Sequence, residues 1–365
     1  MLEGIRIVEI EALGPGPFAA MLFADLGADV ITVHRKGGPA SPGLGERNPL
    51  DRGKRSIELD LKDPADVETA RALIATADGL IEGFRPGVME RLGLGPDACR
   101  SDNPALVYGR VTGWGQTGPK AQRAGHDLNY IATSGALWYA SEPGDPPLAP
   151  PTLVGDIGGG ALYLVIGMLS GILRARATGE GTVVDAAIVD GSAHMMNLFM
   201  ALSAAGFLSI ERGKSLLDGP HWCRTYRTAD GGFVSVQCLE PKFYAEFLDR
   251  MGLAGDKAFA NQFDVAAWPE LAGRLAGIFS GKPRAYWADL FEGSDACVAP
   301  VLNPAESASD PHMASRGVWH GEQPALQAAP APRFPGREAW SPKPSPARGE
   351  HSGEILAELA SGRRK

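Results

Sequence analysis

Cysteine is scarce in this chain: Cys99, Cys223, Cys238 and Cys297 are widely spaced and form no C-x-x-C pair. That spacing argues against a disulfide scaffold or a zinc knuckle and suits a reducing compartment. Basic charge is not in excess either. The net charge is −8, whereas a nucleic-acid binder presents a basic face. Met1-Leu2-Glu3-Gly4-Ile5-Arg6 leads straight into a strand pattern, with no charged leader and apolar run, so no secretory signal is expected. The last residues, Arg363-Arg364-Lys365, are not a Ser-Lys-Leu peroxisomal address. Long apolar runs are missing too: Gly160 to Leu173, about 14 residues, reads as too short to span a bilayer. The expectation is a cytoplasmic protein with no nucleic-acid or membrane partner and no bound metal.

What is present is ordinary globular material. The 365 residues suffice for about two domains, and 44% apolar with 21% charged composition supports normal cores. Ile5 to Ile10 reads as a strand, Gly14-Pro15-Gly16-Pro17 as a break, Phe18 to Leu26 as a helix and Asp29 to Val33 as a second strand. This βαβ opening predicts a Rossmann-like parallel sheet, hence an α/β fold. A helix is expected over Ala65–Thr76, strands over Gly79–Ile81 and Leu106–Arg110, and a long helix from the glycine cluster at Gly158 to Arg176. A strand over Gly181–Ile188 and an apolar helix over Ser192–Gly206 follow.

Near residue 220 the texture changes. Thr225–Thr228 and Phe233–Cys238 flank Asp230-Gly231-Gly232, a hairpin signal. Helices are expected over Pro241–Met251, Trp268–Phe279 and Pro283–Phe291, with a strand near Val298–Leu302. The division expected is a large α/β domain over 1–200, a linker over 201–221 and a small α+β domain over 222–310. Residues 311–365 would be a strap returning to the large domain. Seven prolines between Gly321 and Glu350 fit such an extended segment.

Several groups suggest chemistry, each with a plainer alternative. The first βα turn lacks the third glycine of a dinucleotide fingerprint, and the second strand ends in His34-Arg35-Lys36 rather than an acid. Residues 35–55 hold Arg35, Lys36, Arg47, Arg52, Lys54 and Arg55 against Glu46 and Asp51, a local reversal of sign. Arginine forks there suit the 3′-phosphate and pyrophosphate of coenzyme A, or they are a solvated charged loop. His126, in Gly125-His126-Asp127-Leu128-Asn129-Tyr130, is a site residue or a satisfied structural histidine. Asp156, in Gly155-Asp156-Ile157-Gly158-Gly159-Gly160, is an N-cap, or a base beside glycine amides that hold an enolate oxygen. Glu240 before Pro241 reads as a cap. The methionines at 195, 196 and 200 line an acyl groove or pack in the core. Racemising a thioester α-carbon needs a base in reach, enolate stabilisation and a second acid on the opposite face. A His and an Asp, with a carboxylate orienting the His, meet that need.

On these residues the chain resembles the family III CoA-transferases and, within them, the α-methylacyl-CoA racemase branch, from Ile5 to about Phe334. The pieces are Gly14–Pro17 with Asp25–Val30, Glu82–Gly87 with Arg91-Leu92-Gly93, Thr112–Pro119, Gly125–Tyr130, Asp185-Ala186-Ala187, Glu240-Pro241 with Phe243-Tyr244, and Asp295–Val301. Gly-His-Asp and Glu-Pro-x-Phe-Tyr mark the racemase branch, where transferases show Gly-Tyr-Asp. The resemblance implies that His126 and Asp156 are the acid/base groups and that Glu240 orients His126. It implies CoA contacts at Arg35, Leu59, Asp60, Leu61, Lys62, Gly83, Phe84, Arg85, Arg91 and along Gly125, His126, Asp127, Leu128, Asn129 and Tyr130. It further implies an isomerase of lipid metabolism, an interlocked homodimer, and no cofactor beyond the CoA of the substrate. The stretches His221–Arg224 and Gln237–Leu239 depart from the racemase pattern. Two rival readings are a CoA-transferase in which Asp156 forms an anhydride, and an acyl-CoA-binding protein without turnover.

Overall fold

A parallel sheet covered on both faces buries its strands along their length, and β1 (Arg6–Ile10) is buried at every position, its two charged residues held by ion pairs, Arg6 with Asp29 and Glu9 with Lys54. The computed structural model describes residues 1–38, 48–336, 340–341 and 343–362. Glu46, Arg47 and the terminal Arg363-Arg364-Lys365 lie outside the described residues. After β1 come α1 (Pro15–Asp25), β2 (Asp29–Arg35), β3 (Arg55–Leu59), α2 (Pro64–Ala75), β4 (Gly79–Glu82), α3 (Val88–Arg91), α4 (Pro96–Asp102) and β5 (Val107–Thr112). Then follow α5 (Asp127–Ser134), a π-helical segment (Leu153–Ala161) continuing into α6 (Leu162–Thr178), β6 (Val183–Ala187) and α7 (Ile188–Met195).

The six strands pair in parallel in the order β3-β2-β1-β4-β5-β6. This is a doubly wound order, in keeping with the Rossmann-like parallel sheet expected, with its topological switch between β1 and β4. One face of the sheet packs Phe23 of α1 with Leu164 and Met168 of α6. Gly79 and Gly109, on adjacent strands, make room for Met168: a Cβ would lie 2.4 Å and 2.6 Å from its side chain. The other face packs Leu73, Ile74 and Met89 with Ile355 of a C-terminal helix (Ser352–Ser361).

Several expectations need correction. Strand β3 was not among the expected strands; it begins at Arg55, where the basic cluster of residues 35–55 ends. Its Ile57 and Leu59 are core residues, and the cations around it are structural. Arg52 pairs with Asp25 at 2.5 Å, Lys54 with Glu9 at 2.7 Å, and Arg55 with Asp29 at 2.7 Å. They are neither a solvated loop nor a phosphate site. Helix α1 starts at Pro15, because proline's fixed φ suits the first helical position. The long helix starts at Leu153, so the glycines at 158–160 lie inside it and their amides are not free donors at its tip. From Leu153 to Thr178 it is long and apolar enough to cross a membrane by length and composition alone. Its inner face, Leu164, Val165, Met168 and Ile172, is nevertheless part of the core.

Two compact units divide the chain. The first comprises Met1–Ala136, Pro150–Met196 and Gly317–Lys365, and the second Leu137–Ala149 and Asn197–Arg316. Residues 137–149 and 197–221, read as large-domain and linker material, therefore belong to the second unit. That unit contains α8 (Asn197–Ala204), β7 (Cys223–Arg227), β8 (Phe233–Gln237), α9 (Pro241–Arg250), α10 (Trp268–Phe279), α11 (Arg284–Phe291) and β9 (Val298–Pro300). β7, β8 and β9 form an antiparallel sheet over a core of Trp222, Tyr226, Phe247, Phe279 and Trp287. The single helix expected over Ser192–Gly206 is two, α7 and α8. Met195 and Met200 are exposed rather than packed in a core.

Candidate active site

In an open α/β sheet, ligands bind beyond the carboxyl ends of the strands near the switch point. A cleft of about 960 Å³ lies there, lined only by residues of the first unit. Glu11 and Gly14 follow β1, His34 and Arg35 end β2, Leu59 ends β3, and Asp60 through Lys62 follow it. Gly83, Phe84 and Arg85 follow β4, Thr112 ends β5, and Gly113 follows it. His126, Tyr130 and Asp156 complete the wall.

His126 precedes α5 in extended conformation, and the Asn129 side chain accepts its main-chain proton at 3.0 Å. Its place is fixed by a ring packed into glycine. A Cβ at Gly113 would lie 1.9 Å from Tyr130 Cζ, and one at Gly125 2.7 Å from Tyr130 Cε1. The Tyr130 hydroxyl donates to the Gly125 carbonyl, and Trp114 meets the ring edge-on with centroids 4.9 Å apart.

Asp156 lies within the first turn of the π-helical segment, whose N-cap is Thr152, so the N-cap reading of Asp156 is corrected. The cap of that turn comes instead from Asp127, which is buried. Asp127 Oδ1 accepts the main-chain protons of Gly155 and Asp156, both at 2.9 Å. Gly155 leaves the space for this: a Cβ there would lie 2.4 Å from Asp127 Oδ1. Gly14, at φ 71°, brings its backbone beneath the Asp156 carboxylate. Desolvation, with the neighbouring Asp127 charge, pushes the Asp156 carboxyl up to about 6, and His126 opposes the shift. A carboxyl near neutral in a cleft beside an imidazole is suited to exchanging protons in both directions.

Of the residues inferred for CoA, Arg35, Leu59, Asp60, Leu61, Lys62, Gly83, Phe84, Arg85, Gly125, His126 and Tyr130 share this cleft with Asp156. Arg91 lies exposed on α3 beside Gly87, outside the lining. Asp127 is behind the wall as a clamp, Leu128 is exposed, and Asn129 holds the His126 main chain. Glu240 is exposed in the second unit at the N-cap position of α9, where the cap reading put it; its carbonyl accepts the Phe243 and Tyr244 main-chain protons, and its side chain makes no capping bond. Glu11 and His34 line the cleft without having been singled out as site residues; Glu11's position, one residue past the β1 run, was the available signal.

The family model of CoA-transferase family III matches residues 2–352. The chain is 40% identical to the mouse alpha-methylacyl-CoA racemase, over 98% of this chain and 93% of that protein. It is also 40% identical to the human alpha-methylacyl-CoA racemase, over 99% and 94%. Among solved structures, a CAIB/BAIF family protein from Brucella suis superposes with a TM-score of 0.82 at 28% identity, over 98% of each chain.

Proposed function

The chain belongs to CoA-transferase family III, and we propose that within it the protein is an isomerase that interconverts (R)- and (S)-2-methylacyl-CoA thioesters. The observation that carries this reading is the pairing of His126 and Asp156 on one cleft, in a chain 40% identical to two alpha-methylacyl-CoA racemases.

In this reading the imidazole of His126 removes the α-proton from one epimer and Asp156 removes it from the other. Each returns a proton to the face opposite the one the other group serves. The cationic side chains on the cleft, Arg35, Lys62 and Arg85, suit the phosphates of CoA, whose binding supplies remote energy for the proton transfer. Met195, exposed and packed beside Gly158, offers an adaptable apolar surface for the acyl chain.

The proposal extends to a homodimer, with Glu240 orienting a His126 imidazole. The exposed apolar stripe of Leu162, Ile166 and Leu173 along α6 supports a covering partner chain. No cofactor besides the CoA of the substrate enters the proposed reaction, and its proposed setting is the cytoplasm, in lipid metabolism.

The test is to supply one epimer of a 2-methylacyl-CoA and follow the other by chiral separation, with and without an added carboxylate. Epimerisation independent of the carboxylate is expected. CoA transfer to the carboxylate without epimerisation would install a transferase using Asp156 as nucleophile.

A further inference from the structure

The basic end of β2 is held in place from far along the sequence. Arg348, just before the C-terminal helix, donates through one terminal nitrogen to Glu11 Oε1 and through the other to Glu11 Oε2 at 2.9 Å. The second nitrogen also donates to the Arg35 carbonyl at 2.9 Å. Glu11 Oε2 in turn accepts the Arg35 main-chain proton at 3.0 Å. Both polar groups of the Arg35 main chain are thus tied to one bidentate ion pair. Neighbouring bonds anchor the segment against β3: Gly349 N–H donates to Ser56 Oγ at 2.8 Å and His351 N–H to the Ser56 carbonyl at 2.9 Å.

The pair has a second consequence. Glu11 and Arg35 both line the cleft, Arg35 exposed at the strand end where doubly wound folds read a phosphorylated adenosine. An uncompensated Glu11 carboxylate there would repel phosphates. Arg348 neutralises it, and its guanidinium holds the Glu11 carboxyl below the usual carboxylate range against the opposing effect of burial.

We propose that Arg348 is a positioning residue for recognition of the substrate's phosphates, fixing Arg35 toward the cleft and cancelling the charge of Glu11. The inference rests on the acyl-CoA reading for its substrate, but it concerns binding and not the proton transfer.

The test compares wild type, Arg348→Ala and Arg348→Lys, measuring the Kd of CoA by calorimetry. It also measures kcat and KM for a 2-methylacyl-CoA and for the matching acyl-pantetheine, which lacks the phosphorylated adenosine. Arg348→Ala is expected to raise Kd and KM for the CoA compounds about tenfold with kcat little changed. KM for the pantetheine thioester should not move, which also shows that the variant is folded. Arg348→Lys should recover part of the loss, because charge is kept without the fork. Equal losses on both thioesters, or no change in CoA affinity, would overturn the proposal. Wild type that binds CoA with this Arg348 dependence but does not epimerise would sink the racemase reading and leave the inference standing.

Discussion

The carboxylate of Asp127 accepts the main-chain protons of Gly155 and Asp156, so the residue next to His126 holds the turn that carries Asp156. One buried side chain sets the register between the two proposed acid/base groups. It also places a second negative charge beside Asp156, which adds to desolvation in raising that carboxyl to about 6.

The two effects separate in two variants. Asp127→Asn keeps an acceptor oxygen for both amides and removes the charge. Asp156 acts as a base only when ionised, so its direction of reaction is present above about pH 6 and lost as pH falls through that value. Asp127→Asn should move this limb lower, though not to the ordinary carboxylate range, because burial is the larger cause. Asp127→Ala should lower kcat about 100-fold through misplacement of the turn. Initial rates against pH from each epimer check both.

Gly14 sits at φ 71°, ψ −115°, a region that glycine adopts without strain, with its backbone under the Asp156 carboxylate. Gly14→Ala should cost about 1–3 kcal/mol of stability and reduce kcat more than it raises KM. Thermal melts and steady-state kinetics would show it. An unchanged kcat would mean that this backbone does not set the position of Asp156.

Lys54 is fully buried, bonded to Glu9 at 2.7 Å and Asp51 at 3.1 Å, with Thr32 also donating to Glu9 at 2.8 Å. Removing one partner of a buried pair leaves an uncompensated charge. Lys54→Met should destabilise by about 3–5 kcal/mol, measured by denaturant titration. Lys54→Met combined with Glu9→Gln should recover much of the loss.

His221 is fully buried, with its Nε2 2.7 Å from the Tyr244 hydroxyl, and desolvation pushes its pKa from 6.5 down to about 4. A histidine kept neutral in the fold binds its proton in the unfolded chain first. Its contribution is present above pH 6.5 and lost as pH falls towards 4, about 3 kcal/mol at most. His221→Phe should flatten the stability–pH curve across that window. A curve as steep as wild type would assign the acid sensitivity elsewhere.

The parallel sheet was legible because its strands are short apolar runs between breaks, and α10 lies at the bounds expected for it, Trp268–Phe279. Strand β3 was not, since Arg55 and Glu58 alternate with core residues and are satisfied by partners remote in sequence: Arg55 by Asp29 and Glu358, Glu58 by Arg348. The same remoteness hid the Arg348–Glu11 pair. His126 and Asp156 could be singled out, but their meeting on one cleft depends on the Asp127 clamp, which spacing does not reveal. The π-helical turn escaped because a glycine cluster reads as a helix start, whereas here the glycines let α7 pack closely: a Cβ at Gly191 would lie 1.9 Å from the Gly159 carbonyl oxygen.

The most direct test of the two-base proposal is deuterium uptake at the α-carbon of (R)- and (S)-2-methylacyl-CoA in D₂O, by wild type, His126→Ala and Asp156→Asn. Uptake with epimerisation in wild type, largely lost in both variants, is the predicted result. No exchange in wild type, with CoA transfer to an added carboxylate that fails in Asp156→Asn, would contradict it.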